Sequence, residues 1–295
     1  MNILISGGTG FIGSQLCLFL SENHHVTVIT RQSHLTHPKI KYITSLHEVD
    51  SNETYDIVIN LAGTPIADKR WTPARQQEIV QSRLSMTDGF IQLFQRMNTK
   101  PKVFISASAI GFYGLGISDM KIEESASGDN SFSAKLCSDW ENTALQAQSM
   151  GIRTCILRIG IVLGNNGGAL KKMLPAFYMG AGGKIGSGNQ WMPWIHIKDI
   201  VGIIDYCIQH ESIEGAINCT APNPQTNSKF VQLLGAQLKR PTLLNMPALV
   251  VKILMGQMGE ELLLNGKKVV PKKLLDAGYA FHFSQLDKAL ADVAG

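Results

Sequence analysis

No apolar run in the chain approaches the roughly 18 residues that a membrane-spanning helix needs, so a spanning protein is not expected. The five cysteines (Cys17, Cys137, Cys155, Cys207 and Cys219) form no C-x-x-C pair and show no metal-ligand spacing. Neither a metal centre nor a disulfide framework is expected from them. Most lie among apolar residues and read as reduced core thiols of a reducing compartment. No long run of lysine or arginine occurs either. The net charge of +4 is mild, and Lys267-Lys268 and Lys272-Lys273, the densest basic spots, read as solvated faces rather than nucleic-acid contacts. The first apolar run starts almost at the first residue, so no leader segment is expected. The expectation is a cytoplasmic protein, monomer or homodimer, with a small-molecule substrate and neither a nucleic-acid nor a membrane partner. Apolar residues at 44% and charged residues at 17% suit an ordinary globular chain with an ample core.

What the chain does have is Gly7-Gly8-Thr9-Gly10-Phe11-Ile12-Gly13, placed between the apolar run Ile3-Leu4-Ile5 and helically spaced Ile12, Leu16, Phe19 and Leu20. Strand, glycine turn and helix in that order make a dinucleotide site out of a glycine pattern. Glycine at the turn accepts positive φ, the middle glycine lets backbone approach a pyrophosphate, and Gly13 lets helix and strand pack closely. The first helical amides then face the phosphates.

The second strand, Val26-Thr27-Val28-Ile29-Thr30, ends at Thr30 and Arg31. An NAD-preferring fold carries Asp or Glu there to hold the ribose diol. A carboxylate would repel a 2′-phosphate, whereas a guanidinium grips one with charge-assisted hydrogen bonds. Thr30 and Arg31 therefore select NADP(H).

Further along, Lys41-Tyr42-Ile43 reads as a third strand and Asp56 to Gly63, through Leu61 and Ala62, as a fourth, whose Gly63 ending lets backbone come near a ligand. A long helix is expected from about Pro73 to Met97, a fifth strand at Val103-Phe104-Ile105-Ser106, a helix from Ser133 to Ser149, and a sixth strand at Thr154 to Arg158. This alternation predicts an α/β fold: a Rossmann-type, doubly wound parallel sheet with a smaller C-terminal α/β substrate lobe. The division expected is an NADP-binding domain over 1–164 and a substrate-side lobe over 165–295. Glycines crowd residues 164–190, which suits a loop closing over a ligand. Val162, just after the sixth strand, is assigned to the cofactor side, and a last helix is expected over Leu286 to Val293.

The early glycine motif, Asn60-Leu61-Ala62-Gly63, Phe104 to Ala109 running into Phe112-Tyr113-Gly114, Leu157-Arg158 and Trp194 to Asp199 together resemble the extended short-chain dehydrogenase/reductases. More narrowly, Ala62 to Trp71, Ser82-Arg83-Leu84, Trp140-Glu141, Gly186-Ser187-Gly188 and a C-terminal segment from about Met246 are similar to an atypical branch, the nucleoside-diphosphate-sugar epimerase-like proteins called the epimerase family. The resemblance spans nearly the whole chain and implies a nicotinamide dinucleotide bound at the sheet.

That superfamily works with a Ser or Thr and a Tyr-x-x-x-Lys pair, the lysine sharing the tyrosine's helical face and lowering its pKa. Four residues after Tyr42, Tyr55, Tyr113, Tyr178, Tyr206 and Tyr279 stand Leu46, Ile59, Ile117, Gly182, His210 and Phe283, none of them lysine. The nearest counterpart is Ser131-Phe132-Ser133-Ala134-Lys135, with serine where tyrosine belongs. The resemblance leaves Ser106 and Ser108 as hydroxyls placed to polarise a substrate carbonyl, Lys135 to hold the nicotinamide ribose, and Tyr113 as a substitute proton donor. Each also has a plain structural reading, as a strand-end serine, a solvated lysine or a pocket-shaping tyrosine. Arg83 is expected near a cofactor phosphate, with Glu78 or Glu141 as partner, and His196 reads as structural before catalytic. Three functions follow: an NADP-dependent oxidoreductase or epimerase-like enzyme on a small polar substrate; a nucleotide-binding sensor or scaffold without catalysis; and a sugar-nucleotide epimerase whose diphosphate meets Arg158, Lys171 and Lys172.

Overall fold

The computed structural model describes residues 1–32, 34–165 and 167–294. Seven strands make the central sheet: β1 (Asn2–Ser6), β2 (His25–Ile29), β3 (Ile40–Ile43), β4 (Ile57–Asn60), β5 (Val103–Ala109), β6 (Arg153–Ile159) and β7 (Gly215–Cys219). Their order is β7-β6-β5-β4-β1-β2-β3, and every neighbouring pair is parallel.

A parallel sheet covered on both faces needs strands that are apolar on both faces, and the runs at β1 and β4 are. With a side-chain period of two, Ile3, Ile5, Ile57, Ile59 and Ile105 enter one core while Leu4, Val58 and Phe104 enter the other. Helices α1 (Phe11–Leu20) and, much later in the chain, α5 (Ile197–Gln209) cover the first face. The second face is covered by α2 (Pro73–Arg96), whose Phe90 and Phe94 rings meet Phe104 at centroid distances of 5.8 and 5.1 Å. Helix α2 starts where expected because Pro73 suits its first turn and the Thr72 hydroxyl accepts from the Arg75 amide. The helix α3 (Phe132–Leu145) lies alongside it.

Two differences from expectation have local causes. The glycine-rich stretch is not loop throughout: its middle forms α4 (Gly168–Tyr178), held by buried Leu170 and Phe177, and the glycines flank the helix. The sheet also takes its last strand, β7, from beyond residue 164, so the lobes expected on either side of that residue interleave along the chain. Longer helices of the second half are α6 (Asn227–Leu238), α7 (Ala248–Met255) and α8 (Leu286–Ala294). Leu170, Phe177, Trp194, Phe230 and Leu290 form a separate core under this second lobe. Among the described residues no helix is long and apolar enough to cross a membrane.

Candidate active site at the carboxyl ends of the strands

Strands β1 and β4 are neighbours whose following helices leave in opposite directions around the sheet, and that switch point opens a crevice beyond their carboxyl ends. Buried hydrogen bonds tie the two strand ends together. The Ser6 hydroxyl donates to Asn60 Oδ1 at 2.7 Å, and Asn60 Nδ2 donates to the Thr87 hydroxyl at 2.8 Å. Trp140 Nε1 reaches the same hydroxyl at 2.9 Å, so α2 and α3 join the knot.

The glycine turn is built to bring backbone close. Gly7 has φ +73°, and a Cβ there would lie 2.5 Å from the Leu61 carbonyl group, next to Ala62. A Cβ at Gly13 would lie 2.1 Å from the Gly7 carbonyl oxygen, which is what seats α1 on the turn. Gly8 backs onto Val28, while Gly10 meets only the Gly7 oxygen, at 3.2 Å, and with Thr9 is exposed. No side chain caps α1 and no carboxylate occupies its first turn. The amides of Phe11, Ile12 and Gly13 thus have no acceptor within the helix and sit at its positive end. A pyrophosphate fits this cradle. Beside it, the Phe11 ring fills the space left by Gly164, Gly167 and Gly168, and Ile12 and Val162 pack into the core.

Thr30 is buried at the end of β2, its hydroxyl accepting from the Gln32 amide at 3.2 Å. Arg31 follows it and is exposed, with no carboxylate paired to it among the described residues. Arg83 lies against Gly63, where an added Cβ would be 3.1 Å from its guanidinium carbon, and it donates to the Thr64 carbonyl at 3.1 Å. Its expected partners are engaged elsewhere: Glu78 pairs with Arg75 at 2.7 Å, three residues earlier on α2, and Glu141 with Arg158. Burial works against the Arg83 charge, and no carboxylate among the described residues offsets it.

The expected proton-handling groups are placed as follows. Ser106 and Ser108 point from β5 to the same face and both are buried. Ser106 makes only a long hydrogen bond, to the Ala107 carbonyl at 3.4 Å, whereas Ser108 donates to Glu141 Oε1 at 2.6 Å. The Tyr113 hydroxyl is also buried; it donates to Asn218 Oδ1 at 2.6 Å and accepts from Arg158 at 3.0 Å. Burial raises its pKa, so the phenol holds its proton. Lys135 is exposed on α3. Four residues before Lys135, Ser131 is the N-cap of α3: its hydroxyl accepts from the Ala134 amide at 3.4 Å and donates to Asp129 at 2.6 Å.

Residues 3–219 match the NAD dependent epimerase/dehydratase family. The chain belongs to that family. Residues 246–293 match a second domain, whose function is unknown. The chain is 37% identical over 98% of its length to the chloroplastic "Epimerase family protein SDR39U1 homolog" of Arabidopsis thaliana, of which it covers 86%. It is 36% identical over 99% of its length to "Epimerase family protein YfhF" of Bacillus subtilis, covering 98% of that protein. The crystal structure of human epimerase family protein SDR39U1 with NADPH superposes with a TM-score of 0.90 at 33% identity, covering 100% of this chain and 99% of that one.

In this epimerase-family chain the second matched domain reaches back to the site. Phe132 and Ser133 amides and the Ser133 hydroxyl all donate to the Glu261 carboxylate, at 3.3, 3.0 and 2.6 Å, so a residue 128 positions away closes the start of α3. The three-cation diphosphate site does not assemble. Arg158 is buried and held through both Glu141 oxygens, Lys172 pairs with Asp68, and Lys171 stands exposed. His196 caps α5 by accepting from the Lys198 amide at 3.2 Å, and burial pushes its pKa down to about 4. Thr87, Asn218 and Glu261 went unassigned in the sequence, since nothing local marks a buried hydrogen-bond partner.

Proposed function

We propose that this epimerase-family protein is an NADP(H)-binding oxidoreductase or epimerase-like enzyme that acts on a small polar substrate without a Tyr-x-x-x-Lys pair. One observation carries the reading: a glycine cradle that a single Cβ would fill, next to a strand end bearing Arg31 where a carboxylate would select NAD. The NADPH in the human relative's structure supports it. Gly7 to Gly13 hold the pyrophosphate, Arg31 the 2′-phosphate with Thr30 beneath it, and Leu61 to Gly63 form the crevice wall. Arg83 supplies charge to the cofactor side. When bound, the nicotinamide gives or takes a hydride.

Ser108 is the hydroxyl best placed at the reacting oxygen, on the strand next to β4. Because its O–H is donated to Glu141, it offers lone pairs rather than a proton, and so accepts a hydrogen bond from a substrate alcohol. Ser106 has no such orienting partner, and Tyr113 gives its hydrogen bond to Asn218.

A sensor or scaffold is the second reading, favoured by the commitment of both the Ser108 and the Tyr113 hydroxyls to protein acceptors. Calorimetric titration with NADPH and NADH tests the cofactor assignment. Tight NADPH and weak NADH binding is expected, with Arg31→Ala weakening NADPH alone by about tenfold to a hundredfold; equal losses for both would remove Arg31 as the phosphate reader. NADPH binding without turnover on any carbonyl or alcohol of a broad panel would favour the scaffold.

A further inference from the structure

Two long stretches of the chain, 142–198 and 215–259, contain no aspartate or glutamate. The fold lays them side by side. A Cβ on Gly180 would lie 3.8 Å from Pro241, and Met246 exchanges backbone hydrogen bonds with Lys184 and Gly186 at 2.9 and 2.8 Å. On the face they share, Met179, Leu243, Leu244, Leu249, Ile253 and Leu254 stand exposed, Leu243 at 82% and Met179 at 77%. Helix α7 buries Val251 and leaves Leu249, Ile253 and Leu254 exposed, with Leu249 and Ile253 one turn apart on the same side.

Basic residues border this apolar surface. Lys239 and Arg240 are exposed just before Pro241. Lys69 and Arg70 are exposed at the other edge, where Arg70 donates to the Ile253 carbonyl at 3.4 Å. Of the nearby carboxylates, Asp68 pairs with Lys172 and Glu260 with Lys252, while Glu261 is turned inward onto the Phe132 and Ser133 amides. A soluble chain seldom leaves so many aliphatic side chains together in water without a use for them.

We propose that this face docks on an anionic lipid bilayer, with the outer side of α7 and Leu243-Leu244 entering the headgroup region and the basic border meeting lipid phosphates. Aliphatic side chains ringed by lysine and arginine and free of unpaired carboxylates are the chemistry of interfacial binding. A second copy of the chain fits less well, because a two-fold contact would set this positive surface against itself. The side chains are also aliphatic and protruding, unlike the Trp, Tyr and Arg anchors of protein hot spots. Absence of a membrane span does not bear on this mode of binding, which needs none.

The experiment is flotation of the full chain with vesicles of phosphatidylcholine alone and of phosphatidylcholine with about one-third phosphatidylglycerol. Recovery with the anionic vesicles only is expected, declining as salt is raised. The exposed pair Leu249→Glu with Ile253→Glu should lower partitioning at least about tenfold, and Lys239→Glu with Arg240→Glu by about tenfold. Circular dichroism and thermal melts of the variants establish that the fold is kept. Failure of the unaltered chain to float with anionic vesicles at low salt overturns the proposal, as does binding that ignores both pairs of substitutions. Concentration-dependent dimerisation abolished by Leu249→Glu with Ile253→Glu, without vesicle binding, would assign the face to a second copy instead.

Discussion

The Glu141 carboxylate holds the Arg158 guanidinium through both oxygens, Oε1 at 2.9 Å from Nε and Oε2 at 2.8 Å from Nη2, with each side chain only 6% exposed. Ser108 and Tyr113 bond to opposite ends of this pair. Removing one partner leaves a charge buried without compensation, which is far worse than removing both. Glu141→Ala should cost about 3–5 kcal/mol in urea denaturation, and Glu141→Leu with Arg158→Met should recover most of it. A single variant as stable as the double would show that the pair is not what holds this part of the sheet.

Two glycines of the cradle should separate folding from binding. Gly13→Ala places a Cβ 2.1 Å from the Gly7 carbonyl oxygen, so it should lower stability by roughly 1–3 kcal/mol and weaken NADPH binding with it. Gly10→Val puts a Cβ 3.2 Å from the Gly7 carbonyl oxygen, a tight contact but a far milder one than at Gly13, so the melting temperature should fall less than in Gly13→Ala while NADPH binding is lost. Retained NADPH binding in Gly10→Val would place the cofactor elsewhere.

Ser108→Ala removes the hydroxyl assigned to the reacting oxygen but nothing that touches the nucleotide. On a substrate identified by nicotinamide absorbance, kcat should fall by about a hundredfold. The Kd for NADPH should change less than about twofold, since the cradle is untouched. Unchanged turnover would take Ser108 out of the chemistry.

His196 makes stability depend on acidity. Its folded pKa of about 4 lies below the ordinary 6.5 because the ring is buried, with Asp292 the main opposing influence. Below pH 6.5 the unfolded chain takes up a proton that the folded chain refuses, so stability falls as pH drops from 6.5 toward 4. The full loss amounts to about 3 kcal/mol. Thermal melts across that window should show the slope, and His196→Asn, which keeps a cap acceptor on α5, should flatten it. Equal slopes in both proteins would mean that other groups carry the acid sensitivity.

Much of the architecture is written in short stretches of chain. Ile3-Leu4-Ile5, the glycine turn and the apolar spacing of α1 specify a strand, a turn and a helix within twenty residues, and each glycine's role follows from the lack of a Cβ. Arg31 is legible for the same reason, being a fixed number of residues beyond that turn. The partnerships at the carboxyl ends of β5 and β6 are not. Tyr113 and Asn218 are 105 residues apart, Ser133 and Glu261 128, and a hydroxyl or carboxylate in a sequence does not name the group it will meet. Even the expected Arg83–Glu78 pair failed on rotation about α2, where Arg75 was the nearer cation. Sequence alone determined six of the sheet's seven strands and its glycine turn because those depend on backbone sterics and on periodicity along one segment. Tertiary structure decided which buried polar groups pair and which apolar faces stay open, because those depend on how distant segments come together.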